Sequence, residues 1–471
     1  MKQSLVWQRN ITRALALALF CLSVNFGVSA QAPQGATRIA PAPVNATVRP
    51  AASIVDESLR LVTEFDVNGL KVLVKRREGS QTVVCGLFLR GGSRNVTAEN
   101  AGVEALMLDV ATEASANFPR ERFRRELSRT GTQISYGVNY DYSALTLGST
   151  RQNFDRAWEI FADTALRPNF APDDFQRVKS RQLVALSDDE DTADSYLQVL
   201  QARAAYAGHP YLNDPRGDVK SLSRVTIDDV KRYHQQMMQT SRLLLVVVGD
   251  IDPAQLRGKI EQSFGKLPRG NYQPSPVPQL SFPATTITAT TRDIPTNYVS
   301  GVFVAPPLTS PDIYPLRIAS SILQSRVFME VRVRRNLSYA PDAFLNSQGA
   351  NIGGIYVTSV DANQSLMIML GEIERLQNEE ISVEEIKSTA QQFLTRYYLG
   401  QETNAAQAGE LAQAELIGGG WRTSAEFLDR LRAVTPAEVK RVANTYMRHI
   451  RFVLLGDPKS ISPMTLSDFK S

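Results

Sequence analysis

Apolar and polar positions along this chain repeat with two different periods. Some stretches alternate with period two or run continuously apolar, as β-strands do; these are residues 70–78, 82–92, 135–149, 297–307 and 353–362. Others place apolar residues at helical spacing; these are residues 154–166, 175–189, 366–380 and 383–400. Runs of strands with helices gathered between them predict the α+β class, with mainly antiparallel sheets and helices packed on one face of each.

This pattern occurs twice. The segments VTIDDVKRYHQQMMQTSRLLLVVVGD, from Val225, and VTPAEVKRVANTYMRHIRFVLLGD, from Val434, share a Val-Thr start, a Val-Lys-Arg step and an apolar strand ending in Gly-Asp. Their starts lie 209 positions apart (434 − 225 = 209), and their closing glycines lie 207 apart (456 − 249 = 207). This agreement indicates an internal duplication, so we predict two homologous halves. Thr226 and Thr435 are the predicted helix N-caps.

Proline-rich stretches divide the chain. Residues 31–53 are rich in Pro and Ala and predict an extended lead-in, and residues 266–286 contain enough prolines to exclude a long helix and predict a linker. The two homologous halves are then residues 54–265 and 287–471.

Residues 1–30 have the features of an export signal. Lys2, Arg9 and Arg13 precede the apolar run ALALALFCLSV, and small residues follow in VSAQA. A cleavable secretory signal is predicted, which places the mature protein in the periplasm or outside the cell. A retained membrane anchor is the alternative, although the run is short for a full span.

Composition and charge exclude several functions. The apolar fraction of 43% is typical of a packed globular protein. The formal charge of +4 falls to about +1 without Lys2, Arg9 and Arg13, and no basic cluster remains, so nucleic acid is not an expected partner. No later apolar run is long enough to span a membrane. Cys85, the one cysteine left after signal removal, is predicted to be a buried strand residue.

Several short motifs together carry a family likeness. They are the GG…N…AG lead-in before residue 103, GHPY at 208–211, the paired VT…VKR…GD endings and RRNLSY at 334–339. In this order and spacing the chain resembles the pitrilysin/insulinase family of zinc metallopeptidases over about residues 55–460. The resemblance implies a clam shell formed by two α+β halves, and a structural role for His209.

In active members of that family the first helix carries H-x-x-E-H. Histidines at i and i+4 share one helix face and can both reach one Zn²⁺, while the glutamate deprotonates a metal-bound water. Laid over GVEALMLDV, the two histidine positions are Ala105 and Asp109, and the glutamate position is Leu108. The neighbourhood of the family's third ligand, RVKSRQLVAL, contains no acid. We therefore expect this chain to bind no metal cofactor.

Two carboxylates remain near the lost motif. Asp109 and Glu113 are spaced i, i+4 and could touch a divalent cation, but two carboxylates make a poor site without further oxygen ligands. A solvated helix face is the favoured interpretation of this pair.

The second half retains a different part of the family pattern. In SRVFMEVRVRRNLSYAP the resemblance places the family's substrate-binding arginine at Arg332 and its tyrosine at Tyr339. Asn336 stands where the family prefers Gly, and Asn is the residue that best tolerates positive φ after Gly. An arginine and a tyrosine hydroxyl can bind substrate carbonyls and stabilise the oxyanion that forms during peptide hydrolysis.

The loss of the zinc motif and the retention of the Arg/Tyr pair predict that catalysis is divided between two subunits. Some relatives are built from two subunits, and this chain resembles the subunit that bears the Arg/Tyr pair. The leading hypothesis is a heterodimer in which a zinc-bearing H-x-x-E-H paralogue cleaves a peptide or unfolded protein while this chain encloses it. One alternative is a non-catalytic peptide-binding or scaffold protein with the same fold. Another is a zinc peptidase with unusual ligands.

Overall fold

The computed structural model describes residues 59–462. The predicted signal peptide, residues 1–30, and the lead-in, residues 31–53, lie outside the described residues. Within the described part of the chain, no helix has both the length and the apolar character needed to cross a membrane.

The first half contains a six-stranded sheet in the order β1-β2-β6-β3-β5-β4. Its strands are β1 (Val62–Val67), β2 (Leu70–Arg76), β3 (Thr82–Arg90), β4 (Gln133–Val138), β5 (Tyr142–Thr150) and β6 (Leu243–Gly249). Only the β2–β6 pair is parallel. The predicted mainly antiparallel sheet is therefore confirmed, and the strand made from LLLVVVG lies at its centre, buried along its whole length.

The second half contains a five-stranded sheet in the order β7-β11-β8-β10-β9. Its strands are β7 (Thr286–Thr291), β8 (Asn297–Val304), β9 (Asp342–Leu345), β10 (Ile352–Ser359) and β11 (Arg451–Gly456). This order repeats β2-β6-β3-β5-β4 of the first sheet, again with one parallel pair, β7–β11. The predicted duplication is confirmed by this repetition, and β1 is the addition that makes the first sheet larger.

Each half of the described residues also contains α-helices, eight in the first half and six in the second. In the first half they are α1 (Val103–Ala111), α2 (Arg120–Thr130), α3 (Phe154–Leu166), α4 (Pro172–Asp191), α5 (Ala193–Ala205), α6 (Val219–Arg224), α7 (Ile227–Met237) and α8 (Pro253–Gln262). In the second half they are α9 (Ile313–Val327), α10 (Ala362–Asn378), α11 (Val383–Gly400), α12 (Asn404–Ile417), α13 (Thr423–Arg432) and α14 (Pro436–Tyr446). A π-helix, Phe328–Arg334, continues α9.

The predicted N-caps are confirmed at both repeats. The side chain of Thr226 accepts a hydrogen bond from the backbone N–H of Asp229, and Thr435 does the same for Glu438. In each case the acidic side chain reaches back to the N-cap backbone, which completes a capping box and satisfies two otherwise unpaired N–H groups.

A segment that was predicted to form one strand forms two strands in the structure. Residues 135–149 divide into β4 and β5, which pair as an antiparallel hairpin. Asn139 causes the turn, because its side-chain oxygen accepts hydrogen bonds from the backbone N–H of Asp141 at 2.8 Å and of Tyr142 at 2.9 Å. The hairpin leaves β4 at the edge of the first sheet.

Each half packs one of its helices against the sheet of the other half. One face of each sheet packs on helices of its own half, and a helix of the other half packs on the second face. Leu411 and Trp421, in and after α12, join the apolar cluster that contains Phe88 and Val246 of the first sheet. In return, Leu197 of α5 packs with residues of β11. The halves of the predicted shell are thus held together by buried apolar contacts.

The GHPY segment ties the halves and the proline-rich stretch to one another. The His209 ring lies 2.9 Å from the Pro278 carbonyl oxygen, and the Tyr211 hydroxyl donates to the Asp141 carboxylate. Asp141 also accepts a hydrogen bond of 3.1 Å from the Gly349 N–H of the second half. These contacts give the GHPY segment a structural role.

Candidate functional site

Helix α1, the counterpart of the family's zinc helix, begins at a close approach of two backbone segments. Gly102 precedes the helix with φ 88°, and a Cβ at this position would lie 2.5 Å from the Arg216 carbonyl oxygen. The side chains of the helix itself are all buried, including Ala105 and Leu108, each 3% exposed. Two of the three lost motif positions are therefore filled by apolar core packing.

The third motif position, Asp109, is buried and already bound by polar side chains. Its carboxylate accepts hydrogen bonds of 2.7 Å from Arg181 Nη2 and 2.7 Å from Gln182 Nε2, both on α4. The guanidinium of Arg181 places a positive charge beside this carboxylate. The Gln182 amide also lies 3.3 Å from the Tyr136 hydroxyl on the edge strand β4, and burial raises the pKa of that hydroxyl.

Glu113 does not lie on the same helix as Asp109. Helix α1 ends at Ala111, so the predicted i, i+4 pair is broken. The Glu113 carboxylate lies 2.9 Å from Arg177 Nη2 and 3.6 Å from Arg124 Nη2, and its side chain is 11% exposed. The interpretation of these two acids as a solvated helix face is wrong, because Arg181 of α4 covers Asp109 and arginines of α2 and α4 cover Glu113.

The residues at this position do not fit a zinc ion. Ala105 and Leu108 offer no ligand atom, and the Asp109 carboxylate is bound by Arg181 and Gln182. In residues 59–462 there is no cluster of three or more His, Cys, Asp or Glu side chains arranged to hold a metal. The histidines lie elsewhere: His234 contacts the Ala165 carbonyl oxygen at 2.8 Å, and burial lowers the pKa of its ring.

A second buried acid lies on α1 and was not identified in the sequence. The Tyr233 hydroxyl of α7 donates a hydrogen bond of 2.5 Å to Glu104 Oε2. The other carboxylate oxygen, Oε1, has no partner in the described structure. Burial raises the pKa of Glu104 and outweighs the hydrogen bonds that favour its ionised form. Glu104 is thus a buried acid with a structural role, and no motif in the sequence identifies it.

Arg332 and Tyr339 are in contact. The guanidinium carbon of Arg332 lies 3.9 Å from the centre of the Tyr339 ring, and Arg332 Nη1 donates to the Tyr339 backbone oxygen. Such stacking of a cation on an aromatic face is attractive. Asn336 lies between them with φ 51°, which confirms the expectation that it takes the place of a glycine. The turn at Asn336 brings the pair together.

The surroundings of this pair leave its polar groups accessible. Tyr339 is 82% exposed, so it is not a core aromatic residue. Arg334 and Arg335 both pair with Glu330, whereas Arg332 has no carboxylate partner within residues 59–462. Arg332 lies in the π-helix that continues α9, and π-helical turns are rare and often occur at functional sites. The structure therefore brings the two predicted residues together on the surface.

Comparison with known proteins gives two adjacent family matches. Residues 71–214 match the family model described as insulinase (peptidase family M16), and residues 224–393 match the model described as the peptidase M16 inactive domain. The first match contains the degenerate helix α1, and the second contains Arg332 and Tyr339.

Individual relatives agree with these matches. The chain is 25% identical over 220 residues to the zinc protease PqqE of Helicobacter pylori, a match that covers 46% of this chain and 49% of the relative. It is 22% identical over 217 residues to the non-peptidase homolog YmxG of the same organism, covering 46% and 50%. Each of these matches thus spans about half of the relative's length.

A solved structure confirms the fold. The chain superposes on a peptidase M16 inactive domain protein of Pseudomonas fluorescens with a TM-score of 0.78 at 19% identity, over 85% of this chain and 100% of the other. This likeness confirms the two-part α+β architecture.

Proposed function

Because this chain belongs to the M16 (insulinase) peptidase family without carrying its zinc motif, we propose that it is the non-zinc subunit of an exported two-subunit peptidase. A paralogous subunit with H-x-x-E-H would bind the zinc and cleave the peptide. This chain would enclose the substrate and provide Arg332 and Tyr339. One contrast carries the proposal: α1 is filled by Ala105, Leu108 and the Asp109–Arg181 pair, whereas Tyr339 is exposed and the half-buried Arg332 stacks on its ring.

Arg332 is suited to a substrate carbonyl for electrostatic reasons. It is the arginine of its segment without a carboxylate partner among the described residues, so its positive charge is free to act on a ligand. The exposed Tyr339 hydroxyl adds a second donor. Hydrogen-bond donors that reach the scissile carbonyl oxygen stabilise the negative charge that develops there during hydrolysis.

The experiment uses the complex of the two subunits and a fluorogenic peptide. Arg332→Ala and Tyr339→Phe are each expected to lower kcat/KM by roughly 10²–10³-fold, the usual cost of losing one oxyanion donor. Arg334→Ala is the matched control, because it removes an exposed arginine that pairs with Glu330. Size-exclusion chromatography shows whether assembly is intact. Unchanged turnover in both test variants would remove the pair from the catalytic machinery.

A scaffold role is the second candidate, and the likeness to a non-peptidase homolog favours it. In this role the chain would bind a partner or a peptide without contributing to hydrolysis. The same experiment separates the two roles, because a scaffold would lose no turnover in either variant while remaining in the complex.

A further inference from the structure

A cavity of about 450 Å³ lies in the second half, far along the chain from the degenerate zinc helix. Residues of α9, α11, α12 and α13 line it, and Tyr142 of the first half completes the wall. The rings of Tyr314, Phe393 and Tyr397 each lie within 5.8 Å of the Phe427 ring centre. These four rings are only half-buried, so the cavity opens to solvent. Its size and aromatic lining are typical of a small-molecule site.

An arginine without a counter-ion is part of this cavity. Arg317 Nη2 donates a hydrogen bond of 2.9 Å to Ser347 Oγ, and the guanidinium carbon lies 5.6 Å from the Phe427 ring centre. Arg317 Nε is buried and has no hydrogen-bond partner in the described structure. No carboxylate of residues 59–462 forms an ion pair with Arg317, and burial lowers the pKa of its guanidinium to about 10. Arg317 is half-buried, and a partly desolvated cation without an ion pair is costly unless an anion joins it.

The acid in the same cavity does not supply that anion. Glu410 accepts a hydrogen bond from the Tyr397 hydroxyl, and burial raises the pKa of the Glu410 carboxyl. The Gln413 side chain already has a partner, since its amide donates a hydrogen bond of 3.1 Å to the Ser347 backbone oxygen. Among the buried side-chain donors of this cavity in the described residues, Arg317 Nε is the one without a hydrogen-bond partner.

We propose that this cavity binds a small carboxylic acid with an aromatic or branched aliphatic group. The carboxylate would bind Arg317 and the Ser347 hydroxyl, and the apolar group would pack among Phe393, Tyr397 and Phe427. Charge-assisted bonds from a guanidinium to a carboxylate are among the strongest hydrogen bonds in proteins, and the rings supply apolar area. This site is independent of the proposed peptidase role. A free organic acid and the C-terminal residue of a peptide share this chemistry.

Calorimetric titration of the purified chain tests the proposal with 3-phenylpropionate as the probe. We expect saturable binding to one site with a Kd of roughly 10 mM or lower, a bound set by the ligand's size. The alcohol of the same shape, 3-phenylpropanol, should bind at least about tenfold more weakly, because it lacks the charge that Arg317 would pair with. No saturable binding of the acid, or equal binding of acid and alcohol, would overturn the proposal.

Two variants test whether the acid binds at Arg317. Arg317→Met should weaken acid binding at least about tenfold and leave alcohol binding unchanged. Arg430→Met is the matched control. Arg430 lies over a neighbouring ring, that of Tyr314, at 5.7 Å, but it pairs with Glu426 and does not line the cavity. Equal loss in both variants would contradict the assignment to Arg317. Since the acid/alcohol comparison uses the unaltered chain, it remains decisive even if Arg317→Met does not fold.

Two peptide probes identify the source of the acid. A short peptide that ends in Phe with a free carboxylate is compared with the same peptide carrying a C-terminal amide. Tighter binding of the free-carboxylate peptide than of 3-phenylpropionate supports capture of peptide ends. Binding of 3-phenylpropionate alone supports a free organic acid as the ligand.

Discussion

The Asp109 carboxylate accepts a hydrogen bond of 2.7 Å from the guanidinium of Arg181, 72 residues further along the chain. In the peptidases that this chain resembles, the helix position of Asp109 carries a zinc-binding histidine. Here an arginine from α4 supplies the positive charge instead. The contact joins α1 to α4 without a metal.

Removing the positive charge beside Asp109 should destabilise the protein. Arg181→Met leaves a carboxylate whose side chain is 7% exposed with only Gln182 as a strong partner. We expect a loss of about 1–2 kcal/mol in the free energy of unfolding, less than for a fully buried pair because Arg181 is half exposed. Urea unfolding measures the change, and Asp109→Asn combined with Arg181→Met should recover part of it.

Arg203→Met is the control for that variant. Arg203 has a similar side-chain exposure, 56%, and its nearest carboxylate, Glu190, is itself 61% exposed at 3.7 Å. Its replacement should change the free energy of unfolding by less than about 0.5 kcal/mol. Equal losses for Arg181→Met and Arg203→Met would show that the Asp109 contact contributes no special stability.

Glu104 should make stability depend on pH. Burial raises the pKa of its carboxyl above the ordinary value of 4.5. Its favourable contribution is therefore complete below pH 4.5 and is lost as pH rises through the raised value in the folded protein. In Glu104→Gln this part of the decline should disappear from urea unfolding curves recorded between about pH 4 and pH 8.

Tyr233→Phe sharpens this test. The Tyr233 hydroxyl donates to Glu104 and favours the ionised carboxylate. Its removal should raise the pKa of Glu104 further and extend the loss of stability to higher pH. A pH profile identical in the unaltered chain and both variants would show that Glu104 does not titrate with folding.

The contact between Tyr211 and Asp141 should stabilise the join between the halves. Tyr211→Phe removes a donor from a buried carboxylate that also accepts from the Gly349 N–H. We expect a cost of about 1–3 kcal/mol in thermal or urea unfolding. Tyr206→Phe is the control, since that hydroxyl donates to the neutral side chain of Gln348 at 2.8 Å. A smaller loss for Tyr211→Phe than for Tyr206→Phe would contradict the role given to Asp141.

The exchanged helix α12 should be required for the stability of the first half. Leu411 is 3% exposed and packs against the first sheet. Leu411→Ala should cost about 2–5 kcal/mol, as large-to-small changes in a core do. Val184→Ala, at a position 61% exposed on α4, should cost less than about 0.5 kcal/mol. Similar costs in the two variants would mean that α12 is only loosely packed on the sheet.

Periodicity predicted much of the fold. The helical patterns at residues 154–166 and 383–400 coincide with α3 and α11, and the duplicated endings predicted both N-caps, Thr226 and Thr435. The turn at Asn139 was missed because the apolar alternation continues on both sides of it. A side chain that folds back on its own backbone interrupts a strand without interrupting the pattern.

The sequence predicted the candidate functional site only where its residues lie close together along the chain. The loss of the zinc motif is evident because its positions, Ala105, Leu108 and Asp109, lie on one helix. The charge that covers Asp109 was not predictable, because Arg181 meets it only through the packing of α4 on α1. Likewise, nothing local indicates that Arg317 lacks a counter-ion, whereas Arg326 on the same helix lies 3.0 Å from Glu385.

We propose that this chain does not hold a catalytic zinc by itself. The most direct test is the zinc content of the purified chain after dialysis, measured by inductively coupled plasma mass spectrometry, together with its peptide hydrolysis in the absence of any partner. We expect far less than one zinc per chain and no cleavage. One zinc per chain, retained through dialysis and accompanied by hydrolysis, would contradict it.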